Sequence, residues 1–332
     1  MTSEIRALCQ QLPSRRIEKF RTDPDRYGAS WEVARILGLK APPVSWLMWG
    51  HGVYWEPVNH PAWLAFTNSK GYRILVHGRD QEDLLREHGF SDVHVVGAPI
   101  LYVDQTIPVE RIANSLLVMP PHSLEGLDPG WDENSYVSKI CSLRECYDHI
   151  LVCVTTHCVR NGLWVNSFDR AGIPWIEGAR GDDAHALRRM AFLFKSFETV
   201  TGSTRGSQIP YAAYFGCKVS LWGPWTALGK NESVLNAPLY RRFPELIEHV
   251  RMTHEHNYNL EAFPFLFKHP SEAVNLQDWG AKLLGAKFRK APEDLRHIFG
   301  WHIHQRVWNT MTKGPIKLCR YTLDRIQHNN YR

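Results

Sequence analysis

From residue 44 onward, short apolar runs rich in β-branched and aromatic residues alternate with longer runs whose apolar positions recur every three or four residues. That alternation predicts an α/β chain in which parallel strands are joined by helices. Residues 1–43 read as short helices and loops, closed by Pro42-Pro43. The first strands are expected at 44–50, 72–78, 93–97 and 100–103, with a helix after Gly78 that Gly89 stops. A polar connector over 105–114 precedes a second series. It runs strand 115–123, helix 135–147, strand 149–157, helix 161–172, strand 173–179, helix 182–197, strand 198–202, helix 206–216, strand 218–224. Repeated strand–loop–helix units with short connections predict a Rossmann-like sheet. Residues 225–300 are less regular, and Pro292 opens a run that reads as helices to the C-terminus.

With 332 residues the chain is long enough for two domains. The pattern divides it into a reduced N-terminal domain over 1–110, a second over 111–300 and a helical tail over 301–332, expected to pack back on the first. The net charge of +5 is spread out, without the clustered face a nucleic-acid partner needs. A mild basic excess suits phosphorylated substrates or an anionic membrane surface. None of the seven cysteines forms a CxxC pair, so reduced, buried thiols are expected. The N-terminus lacks a signal-peptide core, and no apolar run approaches a bilayer span of ~20 residues. The expectation is a cytoplasmic protein, or one peripheral to the cytoplasmic face of the membrane. The 13 tryptophans read mostly as core, with sugar or base stacking the alternative for those near strand ends, such as Trp46, Trp49, Trp55 and Trp222.

In an open parallel sheet, ligands bind outside the carboxyl ends of the strands. The residues expected there are His122 and Ser123, Thr155 to His157, Gly178, Arg180 and Gly181, Gly202 to Gln208, and Trp222-Gly223-Pro224. Every strand is thus followed by small, polar or cationic residues, and their convergence matters more than any one motif. The segment Thr201-Gly202-Ser203-Thr204-Arg205-Gly206-Ser207-Gln208 joins a strand to a helix. Its glycines permit close backbone approach to a phosphate, the helix start offers free N–H groups, Ser203, Thr204 and Ser207 can donate, and Arg205 adds charge. The plain alternative is a helix start capped by Ser207. The segment matches neither GxxxxGK[ST] nor GxGxxG.

His122 and His157 are candidates for phosphate binding or acid–base work, against the plain reading of loop histidines. His51, between two glycines after the first strand, is a candidate general base or a turn residue. Asp182 is a candidate catalytic carboxylate or, with Asp183, a helix cap. No metal ion and no cofactor beyond a sugar nucleotide are expected.

Two segments carry a resemblance. RILVHGRDQEDLLREHGFSDVHVVGAPILYV resembles the end of the N-terminal domain in GT-B glycosyltransferases of bacterial capsule, lipopolysaccharide and teichoic-acid synthesis. FETVTGSTRGSQIPYAAYFGCKVSLWGP is similar to the donor-site segment of that family. In its sialyltransferase-like branch, which uses CMP-sugars, His157 and Ser203-Thr204 would correspond to a His-containing turn and a later Ser/Thr turn. The resemblance spans roughly residues 44–224. It implies two Rossmann-like domains facing a central cleft, with C-terminal helices. It also implies metal-independent transfer of a sugar from a nucleotide-sugar donor to a glycan or lipid-linked acceptor.

In that scheme His157, Arg180, Gly202, Ser203, Thr204, Arg205, Gly206, Ser207 and Gln208 hold the donor, and His51, His122 and Asp182 take part in catalysis. Two other classes fit the same residues: a sugar-nucleotide epimerase of GT-B shape, which needs a carboxylate pair, and a non-catalytic partner of a polysaccharide synthase complex.

Overall fold

The structure, a computed structural model, describes residues 1–64, 71–104, 108–122, 131–225, 235 and 238–302. The chain forms two compact units. One comprises Arg15–Thr106, Gly181–Arg188 and Lys282–Arg332; the other comprises Met1–Ser14, Ile107–Arg180 and Arg189–Ala281. Each contains its own parallel sheet, so the expected α/β class and the two Rossmann-like sheets are present. The expected tail over 301–332 lies almost wholly outside the described residues.

The first unit is built on β1 (Leu47–Trp49), β2 (Arg73–Val76) and β3 (Val93–Val95), all parallel and in that order. Ile74, Val76, Leu85, Phe90, Val93 and Val95 form its core. The helix Arg79–Glu87 contributes Leu85 to that core, carries an Arg86–Glu82 ion pair on its outer side, and is followed by Gly89 at φ 82°. The helical spacing read from the sequence is realised here. The strand expected at 100–103 is instead a 3-10 turn, Pro99–Tyr102. Ile100, Leu101 and Tyr102 are buried on all sides, so the run carried no periodicity to separate strand from helix. Gly97 at φ 78° breaks the strand direction, and Pro99 opens the turn.

The second unit contains β4 (Ile112–Met119), β5 (His149–Val154), β6 (Trp175–Glu177), β7 (Phe197–Gly202), β8 (Lys218–Leu221) and the two-residue β9 (Val274–Asn275). Their order is β6-β5-β4-β7-β8-β9, parallel except for β9. Leu116, Leu117 and Val118 of β4 are fully buried, as a central strand covered on both faces requires. The helices Glu133–Ser142 and Val165–Arg170 pack Tyr136, Val137, Ile140 and Phe168 onto β4 and β5. Beyond β8 the described chain is mainly helical, with Leu246–His254 followed at once by His256–Ala262. No described helix is long and apolar enough to cross a membrane.

Two helix starts differ from the expected ones. The helix expected over 182–197 begins at Ala186. The carboxylate of Asp183 accepts from the backbone N–H groups of Arg16 and His185, each at 2.9 Å, and Ile17 bridges to Asp183. Residues 181–185 therefore pair with the segment around Arg16 instead of winding, and Asp182 lies in a turn four residues before the helix. The helix expected over 206–216 is seven residues, Gln208–Tyr214. Its C-terminal end is held by Arg111, which donates to the Phe215 and Gly216 carbonyls at 2.7 Å each.

Candidate functional site

The strand order places the site. β4 has β5 on one side and β7 on the other, so successive strands run outward in opposite directions from that pair. Such a reversal opens a crevice at the carboxyl ends of the two strands, where doubly wound sheets bind ligands. His122 follows β4 and Gly202–Gln208 follow β7, so both lie at the reversal. Thr155, Thr156 and His157 follow β5, one strand further out. Arg180 follows β6, the outer strand. At ~4.8 Å per strand the end of β6 is roughly 14 Å from that of β7, so Arg180 belongs to a different part of the edge.

Gly202 is the last residue of β7, paired with Met119 on one side and Leu221 on the other. A Cβ there would meet the Met119 carbonyl oxygen at 3.0 Å, so strand packing already calls for glycine at this position. The turn then buries its hydroxyls. Ser203 is 1% exposed and Thr204 5%. The Ser203 Oγ atom, the Thr204 and Thr155 Oγ1 atoms and the Tyr136 hydroxyl are buried without a hydrogen-bond partner in the protein. Ser203 and the Tyr136 ring both border Gly223, and burial pushes the Tyr136 phenol above its usual range. Gly223, after β8, lets both close in: a Cβ there would meet Tyr136 at 3.3 Å and Ser203 at 3.5 Å.

Buried hydroxyls without a protein partner cost free energy, and a ligand oxygen is one means of recovering it. Ser207 stands at the helix N-cap position but makes no capping bond with its side chain. A helix of two turns has a weak dipole, so anion affinity here rests on hydroxyls and cations.

The fixed cation in this turn is Arg205. Arg205 donates to the Thr253 carbonyl and to Asn259 Oδ1, each at 3.3 Å, and lies 5.6 Å from the Phe263 ring centre. Asn259 in turn donates to the Thr253 and Glu255 carbonyls at 2.8 and 2.7 Å. This clasp ties the turn after β7 to the junction of the two helices that meet near His254. Burial and the charges of Arg205, His122 and His249 push the His254 ring down to about 4. The visible signal was three histidines within eight residues, His249, His254 and His256, in a stretch lacking clear periodicity.

The first unit holds His51 and Asp182. His51 lies just beyond β1, its ring edge-on to Tyr27 with centroids 4.7 Å apart. Burial, then the charges of Arg26 and His77, push it down to about 3. Asp23 accepts from the Trp49 N–H at 2.8 Å, and burial raises its carboxyl above the ordinary range. His77 reaches the Gly50 carbonyl at 2.9 Å through Nε2 and is also pushed down by burial. The Asp182 carbonyl accepts from the Glu18 N–H at 2.9 Å. The structure thus gathers His122 and residues 202–208 at one strand pair, with His157 beside them, and places His51 and Asp182 in the other unit.

These histidines set a pH dependence. A ring whose folded pKa lies below its unfolded value of ~6.5 makes the folded state bind fewer protons. Its contribution is intact above pH ~6.5 and is lost as pH falls toward the folded value. The melting temperature should be level from pH 8 to 7 and fall as pH drops to 5. His51 alone should account for up to about 2 kcal/mol by pH 5. Calorimetric scans of wild type and His51→Gln check this: the variant's curve should be flatter, and parallel curves would refute the assignment.

No family model matches the chain, and no curated protein matches it. Solved structures do. The UDP-GlcNAc 2-epimerase of Methanocaldococcus jannaschii, solved with UDP-GlcNAc and UDP, is 14% identical with a TM-score of 0.30, over 65% of this chain and 60% of that one. Staphylococcus aureus MnaA, solved with UDP, is 14% identical with a TM-score of 0.32, over 81% of this chain and 82% of that one. The chain therefore spans three-fifths of the first and about four-fifths of the second. The fold assignment rests on the two sheets themselves.

Proposed function

We propose that this protein is an enzyme that binds a nucleotide-activated sugar through its phosphates at the carboxyl ends of β4 and β7. The observation that carries this is the reversal of strand order between those strands, with the buried hydroxyls of Ser203 and Thr204 and the guanidinium of Arg205 in the turn at that point. Hydroxyls and a cation suit phosphate oxygens. His122 and His157 supply further donors.

The chemistry we assign to the bound sugar is glycosyl transfer to a glycan or lipid-linked acceptor. Cleavage of the bond from the sugar carbon to the phosphate oxygen leaves negative charge on that oxygen, and fixed cations stabilise such charge.

Epimerisation of the sugar on its nucleotide is the second reading, the activity named for the Methanocaldococcus jannaschii protein above. The adjacent carboxylate pair considered for it is Asp182 and Asp183, and Asp183 is committed to the backbone of Arg16 and His185.

A panel of CMP, UDP, GDP and their sugars, read by thermal shift, tests the site. One nucleotide series should raise the melting temperature by several degrees. No shift with any member at millimolar concentration would refute the reading. Product analysis without an acceptor then separates the two activities: an isomerised sugar indicates epimerisation, and turnover that requires an added acceptor indicates transfer.

A further inference from the structure

We infer that His254 completes the phosphate site, donating a ring N–H to the phosphate cradled by the turn after β7. This rests on the reading of that turn as a phosphate site. Three observations place the residue. Its Nδ1 is buried and has no hydrogen-bond partner in the protein. It follows Thr253, whose carbonyl receives both Arg205 and Asn259, so its backbone is tied to the turn that carries Ser203 and Thr204. The charges that bear on its ring are Arg205 from the turn after β7, His122 from the loop after β4, and His249 from its own helix. All three act against a positive charge on the ring. An imidazole with a buried, open nitrogen beside such groups is arranged for an anion and not for a protein partner.

The chemistry follows from electrostatics. In the free protein burial, then the charges of Arg205, His122 and His249, push the ring down to about 4, so it is neutral at pH 7. A di- or trianionic phosphate entering among Arg205, His122 and His249 reverses the sign of the local field, and the imidazolium becomes the favoured form. The proton comes from solvent, so binding takes up a proton. The charge opposing the phosphate is then greater in the complex than in the empty site. The free protein avoids holding a dense, unneutralised positive cluster, and the bound phosphate gains a charge-assisted hydrogen bond. This makes the site selective for multiply charged phosphates over singly charged esters.

Inorganic pyrophosphate is the probe, which removes any dependence on base or sugar. Its dissociation constant is measured by calorimetry at pH 6 and pH 8 for the full chain and for His254→Gln, which keeps a donor but cannot gain charge. The ratio of variant to wild-type constants cancels the probe's own titration. It should be about tenfold at pH 6 and near one at pH 8. In parallel, histidine ring-carbon NMR follows His254, assigned by its loss in the variant; its midpoint should rise by about three pH units, to near 7, when pyrophosphate saturates the protein, the shift that a tenfold effect at pH 6 requires.

Pyrophosphate binding with an unmoved His254 midpoint, or the same ratio at both pH values, would overturn the inference and leave the phosphate site standing. No pyrophosphate binding to wild type at either pH would overturn both. Should His254→Gln fail to fold, the wild-type NMR midpoint still decides, with the His254 ring assigned through its bonds to the sequentially assigned backbone.

Discussion

Replacing Thr204 with Val is expected to stabilise the free protein while weakening its hold on nucleotide. The two effects have one cause. The Thr204 hydroxyl is buried in a residue only 5% exposed and has no hydrogen-bond partner in the protein. Leaving such a group unsatisfied costs about 1–3 kcal/mol, and valine has nearly the same shape without the hydroxyl. The melting temperature should therefore rise by several degrees, at roughly 2–4 °C per kcal/mol for a unit of this size.

On the proposed reading, the same hydroxyl donates to a phosphate oxygen in the complex. A hydrogen bond to a charged group contributes about 1.5–3 kcal/mol, so affinity should fall about ten- to a hundredfold. A residue with a purely structural role would show the reverse sign on stability. Ser203→Ala should lose affinity too, because the Ser203 hydroxyl is likewise buried without a hydrogen-bond partner in the protein. Thermal scans with and without the stabilising nucleotide measure both quantities on one sample. A Thr204→Val protein that melts lower than wild type and binds nucleotide equally well would remove the turn from the site.

The positions of these residues were legible in the sequence to a definite extent. The alternation of apolar runs gave the α/β class and the strands at 72–78, 149–157 and 198–202, because buried parallel strands are short, continuous and bounded by turn residues. The Gly/Ser turn at 202–208 stood out for the same reason. Other features depend on tertiary structure. The 3-10 turn at Pro99–Tyr102 looks like a strand because burial on all sides erases periodicity. The late start of the helix at Ala186 reflects the Asp183 carboxylate binding the backbone of Arg16, more than 160 residues away in sequence. His254 was invisible as a site residue because its significance comes from Arg205 and His122, brought to it by strand order and by the Asn259 clasp. No spacing rule links residues 122, 205 and 254. Arg180 shows the converse: it follows a strand as expected, yet the sheet order sets that strand at the outer edge.

Trp164 carries the second large expectation. Its backbone sits at φ 71°, ψ −43°, a conformation that bulky side chains rarely adopt and that costs about 1–3 kcal/mol. Burial offsets that cost. The side chain is 1% exposed, stacks on Trp131 at 5.2 Å and lies against Tyr136 at 4.9 Å. Its indole N–H donates to the Pro121 carbonyl at 3.0 Å. Pro121 immediately precedes His122, and the Tyr136 ring and Ser203 both border Gly223. One side chain therefore braces the loop after β4 and the tyrosine behind the turn after β7.

Trp164→Phe keeps most of the apolar contact but removes the N–H, leaving the buried Pro121 carbonyl with only the weak Cys158 thiol at 3.9 Å, and a gap beside Trp131. The loss should be roughly 3 kcal/mol, from the poorly satisfied carbonyl and the partial cavity together. That corresponds to a fall of about 6–12 °C in melting temperature. Nucleotide affinity should fall several-fold even at a temperature where the variant is fully folded, because His122 loses its anchor and Tyr136 its backing. Binding titrations at 10 °C, with folding verified by near-UV circular dichroism, separate the two effects. Wild-type affinity in a folded but destabilised Trp164→Phe protein would mean that the loop after β4 is not part of the phosphate site.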